Sequence, residues 1–515
     1  MTINKILNCT IVGGGSSAWL TAAHLLADSN LNLTIIDKEL STPIGVGEAT
    51  ILNFDTFMDN CGFNIDEWFN EIDASIKCAI YFPDWIYEGN QIWHPFESSN
   101  HQSIDIRSVW SLNQNYSIRD YGSKQNFNSV IKENKIDASI AHGYHVDAAK
   151  LAFYIRKKIK DKVTIIDSEV VVVNKTKNSV DSLILANGIT IKSDLYIDCT
   201  GFKSLLNPNR ETNSLNDRLF VNTAVAGIVQ YKNVNEEQNP YTTAHAVDIG
   251  WIWKIPTKSR IGTGLVFNKS ITSVDDAKDF FCSYWGRDRI TPDKLRVIDW
   301  TPYYNDTPWD GNVVSIGLSA GFIEPLESTG LALSMFQAMK LKEKIKDNTW
   351  DTIKSELYNL EYKEHFESCV DFVSLHYSKT SRTSEFWKFV SDTYKYSDRL
   401  NTIISLSSER FPTNSCSPKG QFPSSAWIFW LSQMEYPLAN DNINMSKYDA
   451  EKFVMENSKQ FLICRAGWMM GGGPKKDKKF IQKIMLQLKK NNKELFIVND
   501  KTGTPTYTFD FAKNL

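Results

Sequence analysis

Paired cysteines are missing: eight are scattered singly through 515 residues, with no Cys-x-x-Cys pair. That scatter excludes a zinc ribbon and a disulfide framework, and a reduced, cytoplasmic set of thiols is the expectation. No metal site is expected. Long apolar runs are missing as well: none approaches the roughly 20 residues that span a membrane, and no charged leader with an apolar core opens the chain. A soluble protein with no membrane partner follows as the expectation. Neither sign of charge dominates, since 57 Lys plus Arg face 60 Asp plus Glu for a net charge of −3, which argues against nucleic acid as a partner. The one basic stretch, Lys475 to Lys490, intersperses lysine with Phe480, Ile481, Ile484, Met485 and Leu488, the spacing of an amphipathic surface helix. There is no internal repeat and no low-complexity tail. With 42% hydrophobic and 12% aromatic residues the chain can bury a substantial core.

What is present begins at the N-terminus. Cys9-Thr10-Ile11-Val12 reads as a strand that runs into Gly13-Gly14-Gly15-Ser16-Ser17-Ala18 and then a helical pattern from Leu20 to Leu26. Gly13 and Gly15 permit a tight turn and the close approach of a pyrophosphate, which would sit on the helix N-terminus, where free N–H groups and the dipole favour anions. Ala18 takes the third small position. The next apolar run, Leu31 to Ile36, ends in Asp37, placed to accept from a ribose hydroxyl. A second glycine triplet, Gly471-Gly472-Gly473, has no strand before it and reads as a loop.

Further strands are expected at Val163–Ile166, Val170–Val173, Leu195–Ile197 and Val313–Ile316, each ending in small or polar residues. Past about Ile345 the texture turns helical, with Met335–Ile345, Ile353–Phe366 and Lys447–Phe461 at helix-like spacing and a Ser/Pro/Asn-rich loop at Phe411–Phe422. The polar stretch from Trp93 to Lys135 reads as a long insertion that roofs a site. Trp251-Ile252-Trp253-Lys254-Ile255-Pro256 sets two indoles against a proline, a rigid wall. Ser319 to Gly330 leads into a helix from Leu331 to Met339, and consecutive N–H groups at that entry make an anion site.

Taken together, these segments resemble the flavin-dependent halogenases of the tryptophan halogenase family, in family order and over most of residues 7 to 390. Gly13-x-Gly15-x-x-Ala18 is similar to the flavin loop, with alanine for the usual third glycine. Ile44-Gly45-Val46-Gly47-Glu48-Ala49-Thr50 resembles the strap beside the cofactor, and Tyr144-His145-Val146-Asp147-Ala148 a further signature. Trp251 to Pro256 matches the Trp-x-Trp-x-Ile-Pro hallmark, Lys77 to Phe82 the catalytic-lysine segment, and Ser319 to Gly330 the cofactor and halide segment.

The resemblance implies an α/β fold: an FAD-binding, Rossmann-like domain of the flavin monooxygenase type with a mainly helical substrate-binding module. The expected division is 1–92 with 136–345 for FAD, 93–135 for the inserted roof and 346–515 for the helical module. It also implies a reaction in which FADH2 from a separate NAD(P)H-dependent flavin reductase, O2 and a halide (chloride, bromide or iodide) yield hypohalous acid, which halogenates a small electron-rich aromatic substrate such as an indole, tryptophan or phenol. The implied FAD contacts are Gly13, Gly15, Ser16, Ser17, Ala18, Asp37, Gly47, Glu48, Ala49, Gly317, Leu318 and Ser328. Thr329 and Gly330 would hold halide, and Trp251, Trp253 and Pro256 would shield the flavin. Lys77 would hold hypohalous acid or become a haloamine, with Glu327 beside it as orienting carboxylate and base.

His94, Pro95, Phe96 and Trp427 are the expected substrate walls, with His376-Tyr377 and Arg382 to Trp387 in a second family-like segment. The residues that clamp the amino-acid part of free tryptophan are not found in the C-terminal part. Two alternatives stand: a flavin-dependent aromatic monooxygenase on the same fold, and a flavin-binding protein without catalysis. Self-association into a homo-oligomer is left open.

Overall fold

A computed structural model describes residues 3–27, 31–38, 47–96, 141–176, 179–207, 210–409 and 420–437, which belong to one compact unit. Two sheets organise them. The first has six strands in the order Trp309–Asp310, Val313–Ser315, Leu195–Asp198, Asn8–Val12, Asn32–Ile36 and Thr164–Ile166. Every neighbouring pair is parallel except the outermost, Trp309–Asp310 with Val313–Ser315. The expected runs supply five of these strands because Ile11, Ile35, Leu195, Ile197 and Val314 are β-branched or bulky and fully covered, as a parallel sheet requires, whereas Val170–Val173 falls in a separate antiparallel sheet with Val180–Leu185 and Thr190–Ile191. Helix Ser16–Leu26 packs against Ala148–Ile159 and Thr329–Lys344.

The second sheet has seven strands: Arg296–Asp299, Thr223–Val229, Ile261–Phe267, Gly250–Pro256, Tyr241–Val247, Ala79–Pro83 and Gln91–Pro95. All pairs are antiparallel except Tyr241–Val247 with Ala79–Pro83. Alternation along Gly250–Pro256 sends Trp251, Trp253 and Ile255 to one face and Ile252 to the other. The first face shares its core with helices Thr352–Tyr377, Glu385–Thr393 and Ser424–Gln433, through Trp85, Tyr377, Trp387 and Trp430. The other packs on helix Val274–Trp285.

A small third sheet sets Gly143–Val146 between Glu48–Ala49 and Ser75–Lys77, and so hangs Lys77 beside the second sheet. The helical pattern at Ile353–Phe366 belongs to a longer helix, Thr352–Tyr377. Trp93 to Pro95, read from the sequence as the start of an insertion, lie in strand Gln91–Pro95. Residues 97–135 of that insertion, Ile44 to Val46, the helix expected at Lys447–Phe461, the triplet Gly471–Gly473 and the basic stretch lie outside the described residues, as does most of the Phe411–Phe422 loop. No helix among the described residues is long and apolar enough to cross a membrane.

Candidate active site

The glycine loop is shaped by what surrounds each residue. Gly13 has φ +125°, and a Cβ there would lie 2.3 Å from the Cys199 carbonyl oxygen. At Gly14 a Cβ would lie 1.7 Å from Asp37 Oδ1, so the carboxylate that ends the second strand lies against the loop. At Gly15 a Cβ would meet nothing within 4 Å. Gly15 caps helix Ser16–Leu26 without any side-chain hydrogen bond, and with the Ala18 N–H taken by the Gly15 carbonyl at 3.0 Å the N–H groups of Ser16 and Ser17 are the ones placed for an anion. Ala18 is fully buried, as the third small position demands.

Gly317 borders this opening, since a Cβ there would lie 2.5 Å from Ser17 Oγ. Ser17 Oγ lies 2.8 Å from Ser334 Oγ on helix Thr329–Lys344, and Ser16 Oγ donates to the Ala148 carbonyl at 3.2 Å. Gly317 donates its N–H to Gln337 Oε1 at 2.9 Å, and the Leu318 carbonyl accepts from the Tyr303 hydroxyl. Asp37 pairs with Arg156 at 3.3 Å. Gly47 rests on the Trp-motif strand, since a Cβ there would lie 3.2 Å from Ile255 Cγ2. The half-buried Glu48 carboxyl is pushed up to about 7 by burial, and Ala49 pairs with His145. An open loop glycine and a free helix N-terminus, bordered by a second helix entry, fit the diphosphate of a dinucleotide cofactor.

Lys77 is fully buried. Its ammonium donates to the Thr50 carbonyl at 3.0 Å and to Ser328 Oγ at 2.7 Å, and lies 5.0 Å from the centre of the Phe96 ring. Burial pulls the amine down to about 7, against a partial pull upward from Glu327. Ser328, expected at the cofactor, thus turns its hydroxyl to the lysine. His145, with Nδ1 facing Ser75 Oγ and Nε2 facing Thr242 Oγ1, is held well below its usual range by burial and then by Lys77, and stays neutral.

Glu327 and Ser328 are consecutive non-glycine residues with left-handed backbone, at φ +60° and +59°. Such conformations cost about 1–3 kcal/mol each and persist where the surroundings over-determine them. Here the determinants are visible. Glu327 takes His94 Nδ1 at 2.8 Å on Oε2, and His376 Nε2 at 2.7 Å and Trp430 Nε1 at 3.2 Å on Oε1. His376 Nδ1 faces the Phe372 carbonyl at 2.7 Å, which only accepts, so that nitrogen carries hydrogen. A proton must then also lie between Nε2 and Oε1, or two lone pairs would face each other. Burial alone would raise the Glu327 carboxyl, but its hydrogen bonds to and electrostatic interactions with His94 and His376 outweigh it and hold it well below the usual carboxylate range, while burial pulls His376 down from its own ordinary value.

The turn carrying Glu327 and Ser328 delivers the chain into helix Thr329–Lys344, whose N-terminus has no side-chain cap. A Cβ on Gly330 would meet nothing within 4 Å, and Thr329 is buried. Trp251 donates Nε1–H to the Tyr377 hydroxyl at 3.0 Å, and Tyr377 donates to Glu324 Oε1 at 2.7 Å. Burial raises Glu324 to about 8. Trp253 lies over Gly264, where a Cβ would be 2.2 Å from its ring. Pro256, at the end of the same strand, accepts from Ser75 Oγ through its carbonyl.

Of the expected substrate walls, His94 joins Glu327 and lies 5.5 Å from Phe372, Phe96 joins Lys77, and Trp427 meets Phe372 edge-on at 5.0 Å. Pro95 is covered within its strand. The parts of His376 and Trp430 as partners of Glu327, and of Tyr377 and Glu324 behind the wall, were not read from the sequence.

A family profile described as "Tryptophan halogenase" matches residues 8–446, and one described as "RmlD substrate binding domain" matches residues 441–515, which lie outside the described residues. The tryptophan 7-halogenase RebH of Lentzea aerocolonigenes is 31% identical over 420 residues, 75% of this chain and 78% of that protein. A crystal structure of a tryptophan halogenase from Shewanella frigidimarina superposes with a TM-score of 0.78 at 27% identity, covering 88% of this chain and 94% of that one. BrvH, a flavin-dependent halogenase from a Brevundimonas species, gives a TM-score of 0.74 at 26% identity over 88% and 95% of the two chains. The α/β fold is therefore the FAD-binding, Rossmann-like one expected from the sequence.

Proposed function

We propose, from the premise that the chain belongs to the tryptophan halogenase family, that it halogenates an electron-rich aromatic compound through Lys77. Gly13, Gly15, Ser16, Ser17, Ala18, Asp37, the strap Gly47 to Ala49, Gly317 and Leu318 would hold FAD. When bound in its reduced form, supplied by a separate NAD(P)H-dependent flavin reductase, that group furnishes the two electrons with which O2 oxidises chloride, bromide or iodide to hypohalous acid. The N–H groups of Thr329 and Gly330, at an uncapped helix N-terminus, would hold the halide. The six described cysteines are all free, in line with the reducing cytoplasm.

Lys77 supplies the transfer step. With its amine near 7, about half is neutral at neutral pH and nucleophilic. The amine nitrogen attacks the halogen of hypohalous acid, the nitrogen–halogen bond forms, the halogen–oxygen bond breaks, and hydroxide leaves with an amine proton as water. An aromatic carbon then takes the halogen as the haloamine nitrogen takes up a proton, so that the pair of the nitrogen–halogen bond returns to Lys77 as a neutral amine, and the proton that the ring next loses replaces the one taken up. The ionised Glu327 stabilises the positive ring, whose proton leaves to the Oε2 side, where His94 is the single donor. His94, Phe96 and Trp427 would line the aromatic substrate.

The observation that carries this reading is the meeting of Lys77 with Ser328 from 251 residues away, on the strained turn that also presents Glu327 and opens the halide helix. The test is to supply FAD, a flavin reductase, NADH, O2 and bromide with a panel of indoles and phenols, and to weigh the products. Brominated product is expected. A gain of oxygen alone would establish a monooxygenase, and no product from any substrate a flavin-binding protein.

A further inference from the structure

The second sheet has another cavity, on the face turned away from the reaction centre. Side chains alternate along each strand, and His94, Trp251 and Trp253 point to the helical side. Tyr81, Tyr241, His245 and Lys254 occupy the intervening positions and line a cavity of about 540 Å³, closed on one side by Tyr284 and Trp285 at the end of helix Val274–Trp285. That volume lies within the usual range of small-molecule sites.

The charged groups of this wall are Asp84, Glu236, Glu237 and Lys254, beside a His245 that burial holds below its usual range. Asp84 lies 2.8 Å from His245 Nε2, whose Nδ1 meets the Tyr284 hydroxyl at 2.7 Å. Glu237 is held by Arg289 at 2.7 Å. Lys254 has no carboxylate at ion-pair distance among the described residues. Its ammonium is held over two ring faces, 4.9 Å from the centre of Tyr284 and 5.0 Å from that of Trp285, and burial pulls it down to about 8. Aromatic surface continues across the cavity in Tyr241 and in Tyr81, which is backed by Trp93 at 4.3 Å. Only the exposed Glu236 at the rim carries opposite charge without such a partner. Lys254 is half-buried, and Glu237 acts on it through space without forming an ion pair, which leaves its ammonium open to direct pairing with an anion in the cavity.

We propose that this cavity is a second small-molecule site, which takes a planar aromatic carboxylate. The carboxylate pairs with Lys254 Nζ and the ring lies against Tyr81 and Tyr241 across the cavity. The ligand is thereby separated from Lys77, Glu327 and the flavin loop by the thickness of the sheet, and it touches the wall strand through the residue between Trp253 and Ile255.

The test is to soak crystals of the full chain with 4-bromobenzoate and, separately, with 4-bromobenzylamine, and to locate bromine by anomalous scattering. Bromine is expected in this cavity with the acid and not with the amine. In solution, Lys254→Met should weaken 4-bromobenzoate at this site by about tenfold or more by calorimetry, while Lys254→Arg retains it. An empty cavity, entry of the amine, occupancy of the reaction centre alone, or acid binding that survives Lys254→Met would each overturn the proposal. The wild-type soaks decide the point even where a variant folds poorly.

Discussion

Replacing Lys77 by methionine tests the burial on which its chemistry depends. An ordinary lysine titrates near 10.5, and desolvation brings this one to about 7. At about 1.4 kcal/mol per unit, the native state bears a penalty of about 5 kcal/mol for carrying the proton below pH 7. Because the folded value is depressed, the penalty is complete below pH 7, fades between pH 7 and 10.5 while only the unfolded chain holds the proton, and is gone above. Wild type should therefore gain about 2 kcal/mol relative to Lys77→Met between pH 7 and pH 9. The hydrogen bonds to Thr50 and Ser328 that the variant also loses add an offset that changes little with pH. Urea unfolding of both proteins across that range measures the difference. Parallel stability curves would show a solvated, permanently charged lysine and refute the reasoning.

Four further substitutions follow from the geometry. Glu327→Gln sets an amide among the N–H donors of His94, His376 and Trp430, and halogenated product should fall about 100-fold or more while bound flavin and O2 consumption are unchanged. Gly14→Ala and Gly15→Ala should part company: the first drives a methyl into Asp37 and lowers thermal stability, whereas the second meets open space, folds normally and loses FAD affinity by equilibrium dialysis. Equal FAD affinity in Gly15→Ala and wild type would move the cofactor elsewhere. Gly264→Ala forces a methyl against Trp253 and should cost about 1–3 kcal/mol, seen as a lower thermal midpoint.

The sequence made some of this legible because the signals are local. The run Cys9 to Val12, three glycines and a helical pattern state a strand, a turn and a helix within 20 residues, and the structure returns Asn8–Val12 and Ser16–Leu26. Period-2 alternation likewise puts both indoles of the wall on one face. The rest depends on contacts between distant segments. Glu327 meets His94 across 233 residues and His376 across 49, and no local pattern marks such partners. The left-handed turn at Glu327 and Ser328 was equally hidden, because glycine, the residue that announces such a backbone, is absent from both positions. Trp93 reads from the sequence as the start of an insertion because strand Gln91–Pro95 is short and is held by pairing with Ala79–Pro83 rather than by its own composition.

The central claim is that halide oxidation and halogen transfer occur at different places, joined by Lys77. The most direct measurement follows O2 consumption and brominated product together in wild type and Lys77→Ala, with reductase, NADH and bromide supplied to both. The account predicts equal O2 consumption and the loss of brominated aromatic product in the variant. Product retained in Lys77→Ala, or O2 consumption lost along with it, would contradict the account.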